Sequence, residues 1–174
     1  MPVARRWRRA AVEQIIADQT TGKRAIMDWD LPLIWAGVLA VAVAMYVILD
    51  GFDLGIAILF PFTDTESERD QMVSTVAPFW DGNETWLVFG GGGLWIAFPR
   101  AYAVIMPALY LPVILMLLAL VFRGVAFEFR SVAVTSKHFW NFAFTAGSTL
   151  AALCQGVILG GLIQGIRVEN GAFA

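Results

Sequence analysis

The 174-residue chain is poor in the residues that build most soluble catalytic sites. A single cysteine, Cys154, means that no disulfide can form within it. A single histidine, His138, leaves too few imidazoles for a multi-histidine metal or haem site in this chain alone. No CxxC, HExxH, GxxxxGK(S/T) or GxSxG pattern occurs, so zinc, P-loop and serine-hydrolase chemistry have no sequence support. Charge is scarce too. Asp, Glu, Lys and Arg make up 15 % of the residues, where an ordinary soluble domain has about 25 %. A formal net charge of −2 and a pI near 5.3 exclude a basic nucleic-acid binder, and the high apolar content excludes a disordered chain.

What is present is apolar: 59 % hydrophobic residues and a mean hydropathy of +0.69. Three uncharged runs, Leu31–Leu49 (19 residues), Ala101–Phe122 (22) and Phe139–Ile166 (28), pass the length of a transmembrane helix. A fourth, Thr85–Pro99, has 15 and crosses only if it extends back through Ala77–Glu84. The expectation is an all-α, polytopic transmembrane helix bundle of about four spans, near 31–59, 78–98, 101–122 and 139–165. The first continues past Asp50-Gly-Phe-Asp53 through an apolar stretch to Pro61, which closes it. Gly90, Gly91, Gly92 and Gly93 in the second span, and Gly156, Gly160, Gly161 and Gly165 in the fourth, are read as helix-packing positions, where missing side-chain bulk lets backbones approach. Trp29, Trp35, Trp80, Trp86, Trp95 and Trp140 fall near span ends, as an aromatic belt would place them. Met45, Met72, Met106 and Met116 are read as packing, and His138 as an interfacial histidine.

Residues 1–26 stand apart from the membrane domain, 27–174. Arg5, Arg6, Arg8, Arg9, Lys23 and Arg24 make them basic, and they hold no apolar core of signal-peptide length. Two readings stay open: a genuine cytoplasmic tail, or an extension upstream of a working start at Met27. With Met27 as start, Arg69, Arg123, Arg130 and Lys137 on one side outnumber Arg100 and Arg167 on the other, and the positive-inside rule favours an external N-terminus. A retained basic tail argues for the reverse.

Acids inside lipid are functional candidates by default. Asp50 and Asp53 are three apart and share a helix face; Asp81 and Glu84 repeat that spacing at the mouth of the second span. If the loop between Pro61 and Ala77 folds back, all four carboxylates meet on one membrane side, with Asn83 and Thr85 among them, as a candidate proton path. The bland alternative is that they only end helices in the headgroup region. A second polar group, Arg123, Glu128 and Arg130, follows the third span; it serves either as an ion pair to the acids or as a positive-inside anchor.

Three motifs carry a resemblance. Asp50-Gly-Phe-Asp53-Leu-Gly55, Ala77-Pro-Phe-Trp80-Asp81-Gly82-Asn83-Glu84-Thr-Trp86-Leu and Phe122-Arg123-Gly124-Val-Ala-Phe127-Glu128-Phe-Arg130 resemble, in order and spacing, subunit II of the cytochrome bd-type ubiquinol oxidases, with the second and third similar to the cyanide-insensitive branch. The resemblance implies a multi-pass protein of the bacterial cytoplasmic (inner) membrane in a complex that oxidises quinol and reduces dioxygen to water. It implies that haems of b and d type sit in a partner, subunit I, that this chain ligates none of them and stabilises the pair, and that a quinone can be held structurally. It places Asp81 in a proton-uptake path, with Asp53 as second candidate. Quinol, lipid and subunit I are then the partners, and nucleic acid is not. The family has an eight-span subunit, so about four spans correspond to an N-terminal half. Two alternatives remain: half of an ion-coupled secondary transporter with the acids as coupling site, or a non-catalytic truncated assembly fragment.

Overall fold

The computed structural model describes residues 2–133, 135–169 and 172–173; the side chains of 2–12 and 14–29, which include the basic residues of the N-terminal stretch and Trp29, lie outside that description. The chain falls into two compact units, Met1–Ala40 and Val41–Ala174. The first is helical wherever it is described. The second holds every residue of the candidate site.

The elements are α1 (Pro2–Leu59), a 3-10 turn (Phe60–Phe62), α2 (Glu66–Val76), α3 (Trp80–Ala97), α4 (Pro99–Ala108), α5 (Tyr110–Val132), α6 (Lys137–Gln164) and a two-stranded antiparallel ribbon, β1 (Val168–Glu169) with β2 (Ala172–Phe173). Among the described residues, three stretches are long and apolar enough to cross a membrane: Asp30–Phe62, Tyr110–Val132 and Lys137–Gln164. The 18 residues of α3 reach about 27 Å at 1.5 Å per residue, just short of a hydrocarbon core about 30 Å thick. An all-α polytopic bundle is therefore what the chain forms.

Proline sets the breaks. The helix through Asp50 and Asp53 runs on to Leu59, as the apolar stretch beyond them requires, and Pro61 lies in the turn that ends it. Phe98, forced out of the helical region by the following Pro99, separates α3 from α4. The run 101–122 does not form one helix. Pro112 has no N–H to give to the Ala108 carbonyl, so the chain breaks at Leu109 (φ −112°, ψ 19°) and the long helix starts afresh at Tyr110. This shift moves Arg123 from the end of a span to the middle of one. The stretch between Pro61 and Ala77 also differs from a plain loop. Its Thr65 side chain accepts from the Glu68 N–H while Glu68 reaches back to the Thr65 N–H, a capping box that starts α2.

The buried faces of α5 and α6 pack on each other and on α1 in two apolar clusters. Ala57, Phe60, Val76, Ala126, Phe127, Ala143 and Phe144 form one, with Trp80 and Trp140 packed against it. Leu54, Met116, Ala119, Leu120, Ala151 and Cys154 form the other. Trp80 is thus a packing residue rather than part of a belt: it stacks on Phe127 at 5.5 Å and lies over Gly124. Because Phe127 precedes the end of α5 by over a turn, α3 begins roughly 8 Å inside that end.

The close helix contact is at a glycine outside the expected set. A Cβ on Gly147 would stand 2.9 Å from the Ala119 carbonyl oxygen and 3.3 Å from the Arg123 nitrogen. Of the expected glycines, Gly161 meets Leu109 and Gly90 meets Val43, while Gly91, Gly92, Gly156, Gly160 and Gly165 have nothing within 4 Å among the described residues. Gly165 instead ends α6 in a left-handed conformation (φ 86°) that favours glycine.

Candidate functional site

Next to the two apolar clusters, which flank Arg123 on α5 and Ser148 on α6, lies a largely buried charged layer. Its centre is Arg123 on α5, whose Nη1 is 2.7 Å from Asp50 Oδ1, with both side chains 1 % exposed. Arg123 Nη2 is 3.4 Å from Glu84 Oε2 on α3. Asp53, one turn along α1 from Asp50, accepts a hydrogen bond from Asn83 Nδ2 at 2.9 Å. On the other side of Asp50, Tyr46 is one turn away on the same face, and its hydroxyl accepts from Gln155 Nε2 of α6 at 2.6 Å. Ser148 of α6 is fully buried.

The local sequence explains this convergence. Asp50, Asp53, Leu54 and Ala57 lie on the buried face of α1, and Met116, Ala119, Leu120, Arg123, Phe127 and Arg130 make the corresponding stripe on α5. Gly147 lets α6 approach the α5 backbone at Ala119 and Arg123, and the guanidinium reaches Asp50 of α1 and Glu84 of α3. Asp50 precedes Leu59, and Arg123 precedes Val132, by about 14 Å of helix, close to half the thickness of a bilayer core. Asp50 and Arg123 therefore lie well inside membrane-length helical stretches, Asp50 as the span 31–59 implied and Arg123 deeper than a span ending at Phe122 had placed it.

The four expected acids do not all meet. Asp50, Asp53 and Glu84 share the layer, whereas Asp81 is exposed in the first turn of α3. The Arg123, Glu128 and Arg130 group also divides. Arg123 joins the acids, and Glu128 is exposed. Arg130 anchors a second network at the end of the bundle: 2.8 Å to Asp70, 3.3 Å to Glu66, a hydrogen bond to Asn141 Oδ1 at 2.7 Å, and the Phe60 ring at 5.1 Å. Lys137 adds a 3.4 Å contact to Asp70, and Asn141 Nδ2 donates to Glu66. This network ties α2 to α5 and α6. Here burial pushes the Asp70 carboxyl up, but hydrogen bonds and charge from Arg130 and Lys137 outweigh it and leave it below its ordinary value. The Arg69 hydrogen bond holds Glu66 down as well, helped by Arg130 and Lys137.

Sequence reasoning missed Tyr46, Ser148, Gln155, Gly147 and the Arg130 network. The available signals were slight: a tyrosine one turn before Asp50, lone polar residues inside the long uncharged run of α6, and Thr-x-x-Glu at 65–68. Among the described residues, no group of three or more His, Cys, Asp and Glu side chains could hold a metal ion, and His138 is exposed.

Comparison with known proteins agrees with the motifs. The family model for cytochrome bd terminal oxidase subunit II matches residues 31–174. Cytochrome bd-I ubiquinol oxidase subunit 2 of Escherichia coli (strain K12) is 36 % identical over 145 residues, covering 81 % of this chain and 38 % of that protein. A probable cytochrome oxidase subunit 2 of Haemophilus influenzae is 37 % identical over 145 residues, with the same shares. Cytochrome bd ubiquinol oxidase subunit 2 of Bacillus subtilis (strain 168) is 36 % identical over 139 residues, 78 % of this chain and 41 % of that protein. The chain thus spans about two fifths of the length of the curated relatives it matches. Its membrane-length helices and these relatives make it a multi-pass protein of the bacterial cytoplasmic membrane. The matched region contains all three motifs and every residue of the charged layer, and the chain belongs to the cytochrome bd terminal oxidase subunit II family.

Proposed function

We propose that this chain acts as the haem-free subunit II of a quinol-oxidising, oxygen-reducing terminal oxidase. It packs against a haem-bearing subunit I and carries protons toward that partner. The haems of b and d type belong to the partner, where they supply electron transfer and oxygen reduction. The work of this chain is to hold and move protons through its own carboxylates.

The observation that carries this reading is Arg123 held between Asp50 and Glu84 near mid-membrane, in a chain of this family. Two acids and one arginine buried together, with Glu84 partly exposed beside them, are expensive to maintain in lipid, so a use for them is the economical explanation. Asp81 is exposed and meets the proton first. Glu84, one turn further on, is partly exposed and within reach of Arg123. Asp53, steadied by Asn83, and Asp50, paired to Arg123, lie deepest. Arg123 limits the summed negative charge, so that a proton arriving at one carboxylate can leave from another. On α5 and α6 the apolar clusters flank Arg123 and Ser148.

The test is Asp81→Asn in the complex assembled with its partner. Proton-coupled oxygen reduction should slow while haem content stays intact. Unchanged turnover with an unchanged pH profile would remove Asp81 from the path. Asp53→Asn is the second variant, with the same expected pattern. The subunit-stabilising role is read separately, from haem retained in the partner's membrane fraction when this chain is withheld: loss is expected, and full retention would end that part of the proposal.

A further inference from the structure

We infer that the buried polar layer of α1, α5 and α6 around Arg123 is an internal hydration site, holding one or more ordered water molecules on Ser148, Arg123, Asp50 and Asp53. This deepens the proton-path reading but stands on a separate observation. Seven buried side-chain atoms there have no hydrogen-bond partner among the described residues: Asp50 Oδ1 and Oδ2, Asp53 Oδ1, Arg123 Nε, Nη1 and Nη2, and Ser148 Oγ. A guanidinium carries five N–H donors. The 2.7 Å approach of Arg123 to Asp50 is an ion pair without the alignment of a hydrogen bond, so it satisfies none of them fully.

Ser148 makes the case specific. Its neighbour Thr149 returns its hydroxyl to the Thr145 carbonyl at 2.8 Å, the usual refuge of a helical Ser or Thr. Ser148, wholly buried on the α6 face that Gly147 presses against α5, does not. Its hydroxyl therefore keeps both its donor and its acceptor capacity inside the bundle. Apolar residues of the two clusters flank Ser148 on α6 and Arg123 on α5. Leaving so many polar atoms unmade would cancel the net stability of an ordinary domain. Buried water makes about three hydrogen bonds and settles where several otherwise unsatisfied polar groups converge. This layer offers donors from Arg123, acceptors from Asp50 and Asp53, and both from Ser148, on three different helices.

The experiment is a density map of the assembled complex at a resolution that shows ordered water, for the native protein and for Ser148→Ala. The expected result is a peak within hydrogen-bond distance of Ser148 Oγ and of at least one of Arg123, Asp50 and Asp53, lost or displaced in the variant. No peak, with the Ser148 hydroxyl turned back to the Phe144 carbonyl, overturns the inference. So does a peak with the short, carboxylate-only contacts of a bound cation. Should Ser148→Ala fail to assemble, hydroxyl-radical footprinting of the native complex decides. Internal water predicts labelling of buried Met116 and Cys154 beside the layer, and none is expected if it is dry. Turnover is scored separately: a peak combined with unaffected proton uptake in Ser148→Ala keeps the hydration site and counts against the path through it.

Discussion

Arg123 and Arg130 lie two turns apart on one face of α5, and both are almost wholly buried. Their surroundings are opposite. Arg130 has an aligned hydrogen bond from its Nε to Asn141, carboxylates on both terminal nitrogens and an aromatic ring above its plane. Its partner acids are half-open to solvent, so the network is a clamp that holds α2 onto the bundle at little desolvation cost. Arg123 has a closer acid and no aligned hydrogen bond among the described residues. An arginine serving only structure would be expected to look like Arg130. The contrast teaches that burial alone does not mark function; burial with unmet hydrogen-bonding capacity does.

The strongest way to break this comparison is to remove one charge from each site. Arg123→Met should cost about 3–5 kcal/mol, because it leaves Asp50 buried and unpaired. The double variant Asp50→Leu/Arg123→Met should recover most of that stability while proton-coupled turnover stays low. Thermal unfolding in detergent gives the first quantity and oxygen uptake the second; a double variant as unstable as the single one would mean that the layer is not an ion pair in energetic terms. Arg130→Ala should cost about 1.5–3 kcal/mol, the range of hydrogen bonds to charged groups, and should leave proton uptake unchanged. Gly147→Ala comes next. Its methyl would press on the Ala119 carbonyl and the Arg123 backbone, an overpacking cost of about 1–3 kcal/mol. Gly156→Ala, with open space around it, should be neutral by the same melting measurement.

The bundle was legible because lipid imposes length and uncharged sequence on each span, and the α1 and α6 stretches obey that rule. The third span was misplaced for a physical reason: an apolar run says where a helix can lie, and Pro112 decides where it starts. That shift carried Arg123 from the end of a span to the interior of one, where of its two expected roles it takes that of ion pair to the acids. Asp50, Asp53 and Glu84 were readable as a group because three-residue spacing and apolar context are local facts. Asp81 matched its neighbours in the same way, yet the turn of α3 leaves it outward. Ser148, Gln155 and Tyr46 were not legible. A single polar residue in an apolar helix acquires meaning only from what the neighbouring helices bring opposite it. The Arg130 clamp was missed because it joins residues far apart in sequence, Glu66 and Asp70 to Asn141, and only the fold supplies that register.

The smallest effect concerns acid. Glu66 and Asp70 are held below their ordinary values by Arg69, Arg130 and Lys137, in Asp70 against the opposing push of burial. A carboxyl depressed in the folded state adds stability above its unfolded value and loses it as pH falls through the folded one. The tether of α2 is therefore complete at neutral pH and fades below about pH 4. Both side chains are well exposed, at 38 % and 50 %, so solvent screens the interaction and whole-protein melting will barely register it. Hydrogen exchange of the α2 amides is the right readout, with faster exchange expected at pH 3 than at pH 7 once the intrinsic rates are divided out. Asp70→Asn should bring part of that loosening to neutral pH, and Arg130→Ala should flatten the dependence. If protection in α2 is the same at both pH values, the helix is held by Val76, Met72 and Val73 against Phe60 and its neighbours, and the charges beside it are incidental.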